Sequence, residues 1–509
     1  MPYMITRILC AATLALAGVS ATAEDVPEAK AEAYRAAVLS CLDNLLEHGT
    51  DRYGPVHTPM IMSVIDLRTK DAPREPELFD GLIRTEGRLH RQNPGGADLW
   101  DDQPLLRTFY AMTKLSDDPK YAEAADAYIK VYFERARKPN GLLAWGSHIY
   151  YDAYTDAPGG DQDGAGPHET LVLCPVWDQM SRVAPDAVRA QIEGMWDWHV
   201  VDKTTGLHNR HDDRQRGCDF AFFGGELAHA FSHLYGNTND DEHLRWARLV
   251  VDNHWRARHP ETNLAPDATS TGARYDAHHS FTSLSGPHAA MLFKAFEASG
   301  EDRFRDVALA YINAYDEYAW DESTGRYHAM LTLDGKPVAQ EPRGPGYDAW
   351  KPTGYVDIWR AVMYSYEFPL IAAQTAVYAY EITGDQAALQ SARNWATNIR
   401  AELPPGTGRR WRDDLLKALP EIEMTGGTYA ENYGRSISFF LGLYRATNDR
   451  DDLKTAIALA DEAMAKLYTD GWFRGHPAKP YYESTDGVAY LMYALLEMSA
   501  YPNKLPVNL

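Results

Sequence analysis

The feature that most constrains this chain is a unit that recurs along it: an apolar, aromatic helix, a short polar turn, then a second helix rich in alanine. One copy begins at Leu105 and turns at Ser116-Asp117-Asp118; others begin at Gly225, His288, Pro369 and Ser436. In each, apolar side chains recur at steps of three and four, and Gly, Asn or Asp stands at the turn. A helical hairpin of this kind cannot bury both of its faces alone, so neighbours must stack. Between hairpins run long loops bearing Gly, Trp and His, at 137–168, 256–286 and 404–435. Open solenoids have short, uniform connections, and loops of this length are uncommon unless functional. The pattern therefore predicts an all-α protein, an α/α toroid (incomplete barrel) of about six to seven helical hairpins whose long loops form a cleft. Strand-like alternation is scarce, and no Pro/Ser/Gly linker divides the chain.

The first residues carry Arg7, an apolar run from Ile8 to Val19, and Ala21-Thr22-Ala23 before Glu24-Asp25. That is the pattern of a cleavable secretory signal over 1–23, with 24–509 expected as a single catalytic domain that is periplasmic or secreted. The run is too short for a membrane span of ~20 residues, and no later segment is long and apolar enough. A formal net charge of −22 disfavours nucleic acid and anionic lipid as partners. An anionic substrate would have to be held by a metal or by a few Arg and Lys. Cys10 leaves with the signal, and Cys41, Cys174 and Cys218 show no zinc or disulfide spacing, although one bridge is compatible with an oxidising compartment.

The residues with chemistry cluster in the loops. Gly141-Leu142-Leu143-Ala144-Trp145-Gly146-Ser147-His148 is followed by His168-Glu169, then by Leu207-His208-Asn209-Arg210-His211-Asp212-Asp213, Cys218-Asp219-Phe220 and Gly224-Gly225. His148, Glu169 and His211 offer two imidazoles and a carboxylate. Such a set suits Mn, Zn, Co or Ni better than Ca and leaves positions open for a substrate carboxylate. With 18 His in the chain, the competing reading is a set of solvated or hydrogen-bonded histidines.

These motifs, together with Tyr53-Gly54-Pro55 and Thr58-Pro59, resemble the periplasmic pectate disaccharide-lyases, polysaccharide lyase family two. The resemblance runs patchily over most of the chain. It implies a toroid that binds a divalent transition metal, typically Mn, through His148, Glu169 and His211, with Arg210 as the Brønsted base. His148 and Glu169 are 21 residues apart and Glu169 and His211 are 42 apart, spacings that fit the family's. The sequence departs from the family at Ser147, where a second Gly is usual, and at Thr170-Leu171-Val172-Leu173, which lacks the usual Lys.

The implied reaction is β-elimination on a polyuronate, pectate or oligogalacturonate foremost. The proton next to the uronate carboxylate leaves, charge builds on that carboxylate, and the glycosidic oxygen departs without water. Arg is a difficult base, because free guanidinium stays protonated. The alternative for Arg210 is a fixed cation that clamps the carboxylate bidentately, with His208 or a loop Tyr as base. Candidate substrate binders are Trp145, which is equally placed to brace its loop, then Arg274, Tyr275, His279, Tyr429, Tyr433, Arg435 and Arg474. Two other functions compete: a glycoside hydrolase on a similar toroid, needing paired carboxylates such as Asp101-Asp102, Asp219 or Glu431, and a non-catalytic glycan-binding protein.

Overall fold

In the computed structural model, the described residues are 26–75, 95–146, 149–160, 168, 174–271, 276–340, 351–359, 366–405 and 427–509. The expected signal peptide lies outside them. The hairpins stack into a ring of two concentric helical layers. The inner layer comprises Gln103–Ser116, Trp177–Val183, Ala221–Thr238, Ala289–Ser299 preceded by a π-turn at Leu284–His288, Pro369–Thr383, Ala430–Thr447 and Val488–Ala500. Its partners outside are Lys120–Arg135, Pro185–His199, Asp241–Ala257, Asp302–Ala319, Gln386–Ala401, Arg450–Leu467 and Glu28–His48.

Side-chain chemistry sorts the layers. The inner helix from Ala221 is buried at every position from Ala221 to Leu234, and the one from Pro369 at every position to Ala379. Helices that are apolar all round must be covered on all sides. The outer helix Asp241–Ala257 buries only a stripe, including Leu244, Ala247, Val250, Val251 and His254, and turns its charges to water. Sequence periodicity found five of these pairs and overlooked two. Trp177–Val183 is too short to show a period, and the last pair joins opposite ends of the chain. There Glu28–His48 packs on Val488–Ala500, which also packs on Gln103–Ser116. The two ends of the chain thus pair to complete the toroid.

The two rims of the ring differ in construction. On one, five of the seven inner helices pass to their outer partners through a tight turn capped by a left-handed residue: Asp117 (φ 57°), Asn239 (φ 53°), Gly300 (φ 73°), Gly384 (φ 70°) and Asn448 (φ 58°). These are the residue types that tolerate that conformation. Asp240, Asp385 and Asp449 then accept the first free N–H groups of the next helix. On the opposite rim the outer helices end in short antiparallel β-hairpins, such as Val200–Asp202 with Leu207–His208 and Trp320–Asp321 with Arg326–Tyr327. Long loops lead from these hairpins to the next inner helix. The described residues among the candidates sit on this loop-bearing rim or just inside it. The helix from Ala430 also corrects the loop expected over 404–435, since it places Tyr433 and Arg435 on the inner wall.

Candidate active site

The centre of the loop-bearing rim is a buried chain of hydrogen bonds linking three loops. The indole Nε1 of Trp145 donates to Nε2 of His168. Nδ1 of His168 lies 2.7 Å from Nε2 of His199, and Nδ1 of His199 lies 2.9 Å from the Asn209 carbonyl oxygen. An indole only donates and a carbonyl only accepts, so the ends of the chain dictate the protons between them. His199 donates from Nδ1 and accepts at Nε2; His168 does the same. Gln191 adds its Nε2 at 3.2 Å from His168 Nε2, and its Oε1 accepts the Leu143 N–H at 2.8 Å. Both rings are neutral in this arrangement. Burial pushes the His199 imidazole down to about 4, as expected for a charge denied water.

A second knot ties the same loops through Asp212. Its Oδ1 accepts the His168 N–H at 3.0 Å, and its Oδ2 accepts Lys138 Nζ and Asn140 Nδ2, each at 2.6 Å. The Lys138 and Asp212 side chains are 8% and 7% exposed, so this ion pair is shielded from solvent screening. Asn209 braces the turn from within: its Oδ1 accepts the His211 N–H at 2.9 Å, while its Nδ2 donates to Asp213 Oδ1 at 2.8 Å. The loop closes where the Arg210 N–H reaches the Cys218 carbonyl at 3.1 Å. Arg214 and Cys218 hold φ of 61° and 46°, a strained conformation for side chains of this size.

Arg210 is 2% exposed, its guanidinium 5.2 Å from the centre of the Phe220 ring and within electrostatic reach of Asp267. His211 beside it is half-buried. His148 and Glu169 lie outside the described residues, as do Arg274 and Tyr275. What is described is their immediate surroundings: Trp145 and Gly146 before His148, His168 before Glu169, and Asn209 to Asp212 around His211. Those three stretches, far apart in sequence, meet in the two knots above.

The other candidates have definite places. Trp145 is fully buried between Trp100 and Trp177, with ring centres 5.1 and 6.1 Å away; it braces the loop and offers no face to a sugar. Tyr433 donates to Glu462 on the outer layer at 2.8 Å, which turns its hydroxyl away from the lumen. Arg435 is buried over the Tyr490 ring at 3.9 Å, with Nε 2.8 Å from Glu431 and Nη1 3.1 Å from Gln374. Arg474 donates to the Pro477 carbonyl at 3.1 Å, and Tyr429 packs on His476 at 4.8 Å. His279 is half-buried with Nδ1 3.0 Å from Asp276 Oδ2, which also holds Lys351. His208, the substitute base, is completely buried between the Gly206 and Phe220 carbonyls. It is interior, not part of the cleft.

Of the carboxyls under the Trp145 loop, sequence reasoning named Asp101-Asp102 and overlooked Asp98. Asp98 accepts the Trp100 N–H at 2.9 Å and the Gly146 N–H at 3.0 Å, and Asp102 accepts the Tyr128 hydroxyl at 2.7 Å. Burial, followed by the charge of Asp101, drives Asp98 well above the usual carboxylate range, and burial does the same to Asp102. The run Asp98 to Asp102 in the sequence was the available signal. Cys41, Cys174 and Cys218 are buried, and no disulfide joins them among the described residues. Among the described residues no three His, Cys, Asp or Glu side chains are grouped so as to hold a metal ion, and no helix is long and apolar enough to cross a membrane.

Comparison with known proteins bears on this rim. Residues 96–224 match the family model described as periplasmic pectate lyase, a segment that contains every knot residue named above. A pectate disaccharide-lyase of Dickeya dadantii (strain 3937) is 26% identical over a region covering 37% of this chain and 41% of its own length. The chain thus spans about two fifths of that relative. Among solved structures, similar chains include a family 76 glycoside hydrolase from a bovine Bacteroides thetaiotaomicron strain (13% identity, 92% of this chain and 78% of that one, TM-score 0.48). Another is the cellobiose 2-epimerase of Spirochaeta thermophila DSM 6192 (10% identity, 93% and 99%, TM-score 0.47). Over the segment that carries the candidate site, the chain is a distant relative of the periplasmic pectate lyases.

Proposed function

We propose that this protein is an exported, metal-dependent polysaccharide lyase that cleaves a polyuronate, pectate or oligogalacturonate foremost, by β-elimination. The observation that carries the reading is the meeting of the Trp145-Gly146, His168 and Asn209–Asp212 stretches in one buried network, within the segment that matches the pectate lyase model. The donor set His148, Glu169 and His211 fits a divalent transition metal, Mn by family resemblance, through its two imidazoles and one carboxylate. Such an ion, when bound, would stabilise the negative charge that develops on the uronate carboxylate.

The chain's own residues supply the rest. Asn209 fixes the backbone on which Arg210 and His211 sit, so neither has to be ordered when substrate arrives. Arg210, buried against Phe220, takes the proton from the carbon next to the carboxylate.

The test is to offer polygalacturonate, glucuronan, alginate and their oligomers with Mn or with chelator, and to follow the ultraviolet absorbance of unsaturated ends. His148→Ala and His211→Ala should lose metal and activity together, whereas Arg210→Ala should lose turnover and retain metal. Full activity in Arg210→Ala would overturn the base assignment and leave the clamp. The alternative, a glycoside hydrolase on the same ring, needs two carboxyls flanking the bond, and of the acidic run under the Trp145 loop Asp98 and Asp102 are buried. A hydrolase acting on unsaturated sugars would destroy the absorbance that a lyase creates.

A further inference from the structure

The ring has a second chemically marked space, inside the lumen on the side of the tight turns. It is a cavity of about 370 Å³, within the ~300–1,000 Å³ range of small-ligand sites. Its walls come from the inner helices Gln103–Ser116, Ala221–Thr238, Ala289–Ser299 and Val488–Ala500, from the start of Trp177–Val183 with Cys174–Val176 before it, and from Leu505, Pro506 and Val507. That last segment runs inside the ring: the Tyr493 hydroxyl donates to the Pro506 carbonyl at 2.6 Å, and Arg107 Nη1 reaches Asn508 Oδ1 at 3.0 Å.

The cavity's charge runs against that of the whole molecule. In a chain of net charge −22, Arg107, Lys114 and Lys294 line it with His229 and His233, facing only Asp178 and Glu297. Glu297 is occupied by Lys294 at 3.0 Å and by the Tyr378 hydroxyl, and Asp178 by His233 at 3.3 Å. Arg107 and exposed Lys114 face no carboxylate within ion-pair distance among the described residues. Two polar atoms of the buried wall, Trp177 Nε1 and His229 Nδ1, have no hydrogen-bond partner. Tyr110, Trp177 and Tyr493 supply aromatic surface. A surplus of cations beside aromatic walls is the chemistry that holds a carboxylate on a sugar ring.

We propose that this cavity binds a single sugar acid, a uronate monosaccharide, at a site separate from the candidate active site, with the carboxylate held by Arg107, Lys114 and Lys294. The choice of a uronate among sugar acids rests on the polyuronate reading; the carboxylate-on-a-ring class rests on the cavity alone.

Calorimetric titration of the whole protein with galacturonate tests this, with galactose and inorganic phosphate as parallel probes. The expected result is saturable galacturonate binding that persists in Arg210→Ala and weakens at least ~10-fold in the double variant Lys114→Gln/Lys294→Gln. Circular dichroism and thermal midpoint would establish that the double variant folds. Galactose should not bind, and phosphate should bind more weakly. Absence of galacturonate binding, or equal binding in the double variant, overturns the site. Equal binding of galactose overturns the carboxylate assignment, and equal or tighter phosphate binding overturns the sugar assignment. Because no turnover is read, failure of the lyase assays with this binding intact would refute the active-site reading and spare the cavity.

Discussion

The two rims of this ring solve the same problem, joining one helix to another, in opposite ways. On the tight-turn rim the solution is local: one left-handed residue ends the inner helix and the aspartate next to it begins the outer one, as at Asn448 and Asp449. On the loop-bearing rim the backbone is held by side chains from distant segments, as Asp212 holds Lys138, Asn140 and the His168 N–H. Local solutions can be changed one at a time at small cost. The loop-bearing rim shares its partners among several loops, so a change there spreads, and that rigidity is what a preorganised site requires.

Substitutions on the two rims should separate accordingly. The largest effect is expected at Arg210: Arg210→Ala should lower turnover on the cleaved polyuronate about a thousandfold, whereas Asp449→Ala on the other rim should leave it unchanged; steady-state kinetics on both variants decides. Next comes Asp212→Ala, which strands the Lys138 ammonium in a buried setting. Urea denaturation should show a loss of about 3–5 kcal/mol together with falling activity, and a loss under 1 kcal/mol would mean the loops are not tied as described.

Acid should also distinguish the rims. Burial pushes His254 down to about 4 and His288 to about 3, both packed beneath the loop-bearing rim with ring centres 5.8 Å apart. The unfolded chain takes up protons near pH 6.5 that the folded one refuses. Stability is therefore retained above that pH and falls as pH drops from about 6.5 toward 4. The thermal midpoint should fall by several degrees across that window, and His288→Gln should reduce the slope. The smallest effect is expected at the caps, where Asp240→Ala, Asp385→Ala and Asp449→Ala should each cost about 1 kcal/mol by denaturation, with kinetics unaltered.

How much of this was legible beforehand follows the same division. The tight turns were plain in the sequence, because Gly, Asn and Asp at helix ends act within a few residues of themselves. The expectation of helix pairs with long loops on one side follows from those turns and from the apolar period. The inner helix Trp177–Val183 was hidden because seven residues are too few to reveal a period. Trp145 was left between two roles, and its complete burial settles it as a brace. His199 and Gln191 were overlooked because nothing near them in sequence marks them; their importance lies in what they touch.

By itself, then, the sequence determined the helices, the turns and the order in which the motifs occur, since periodicity and capping are decided by side chains within about one or two helical turns. Only the tertiary structure decided that Glu28–His48 closes the ring against Val488–Ala500. It also decided that Trp145, His168, His199 and Asn209 share one line of hydrogen bonds, and that cations gather in the lumen of an acidic protein. The physical reason is that a buried donor needs an acceptor at about 3 Å, and which residue stands there depends on how every hairpin packs against the next.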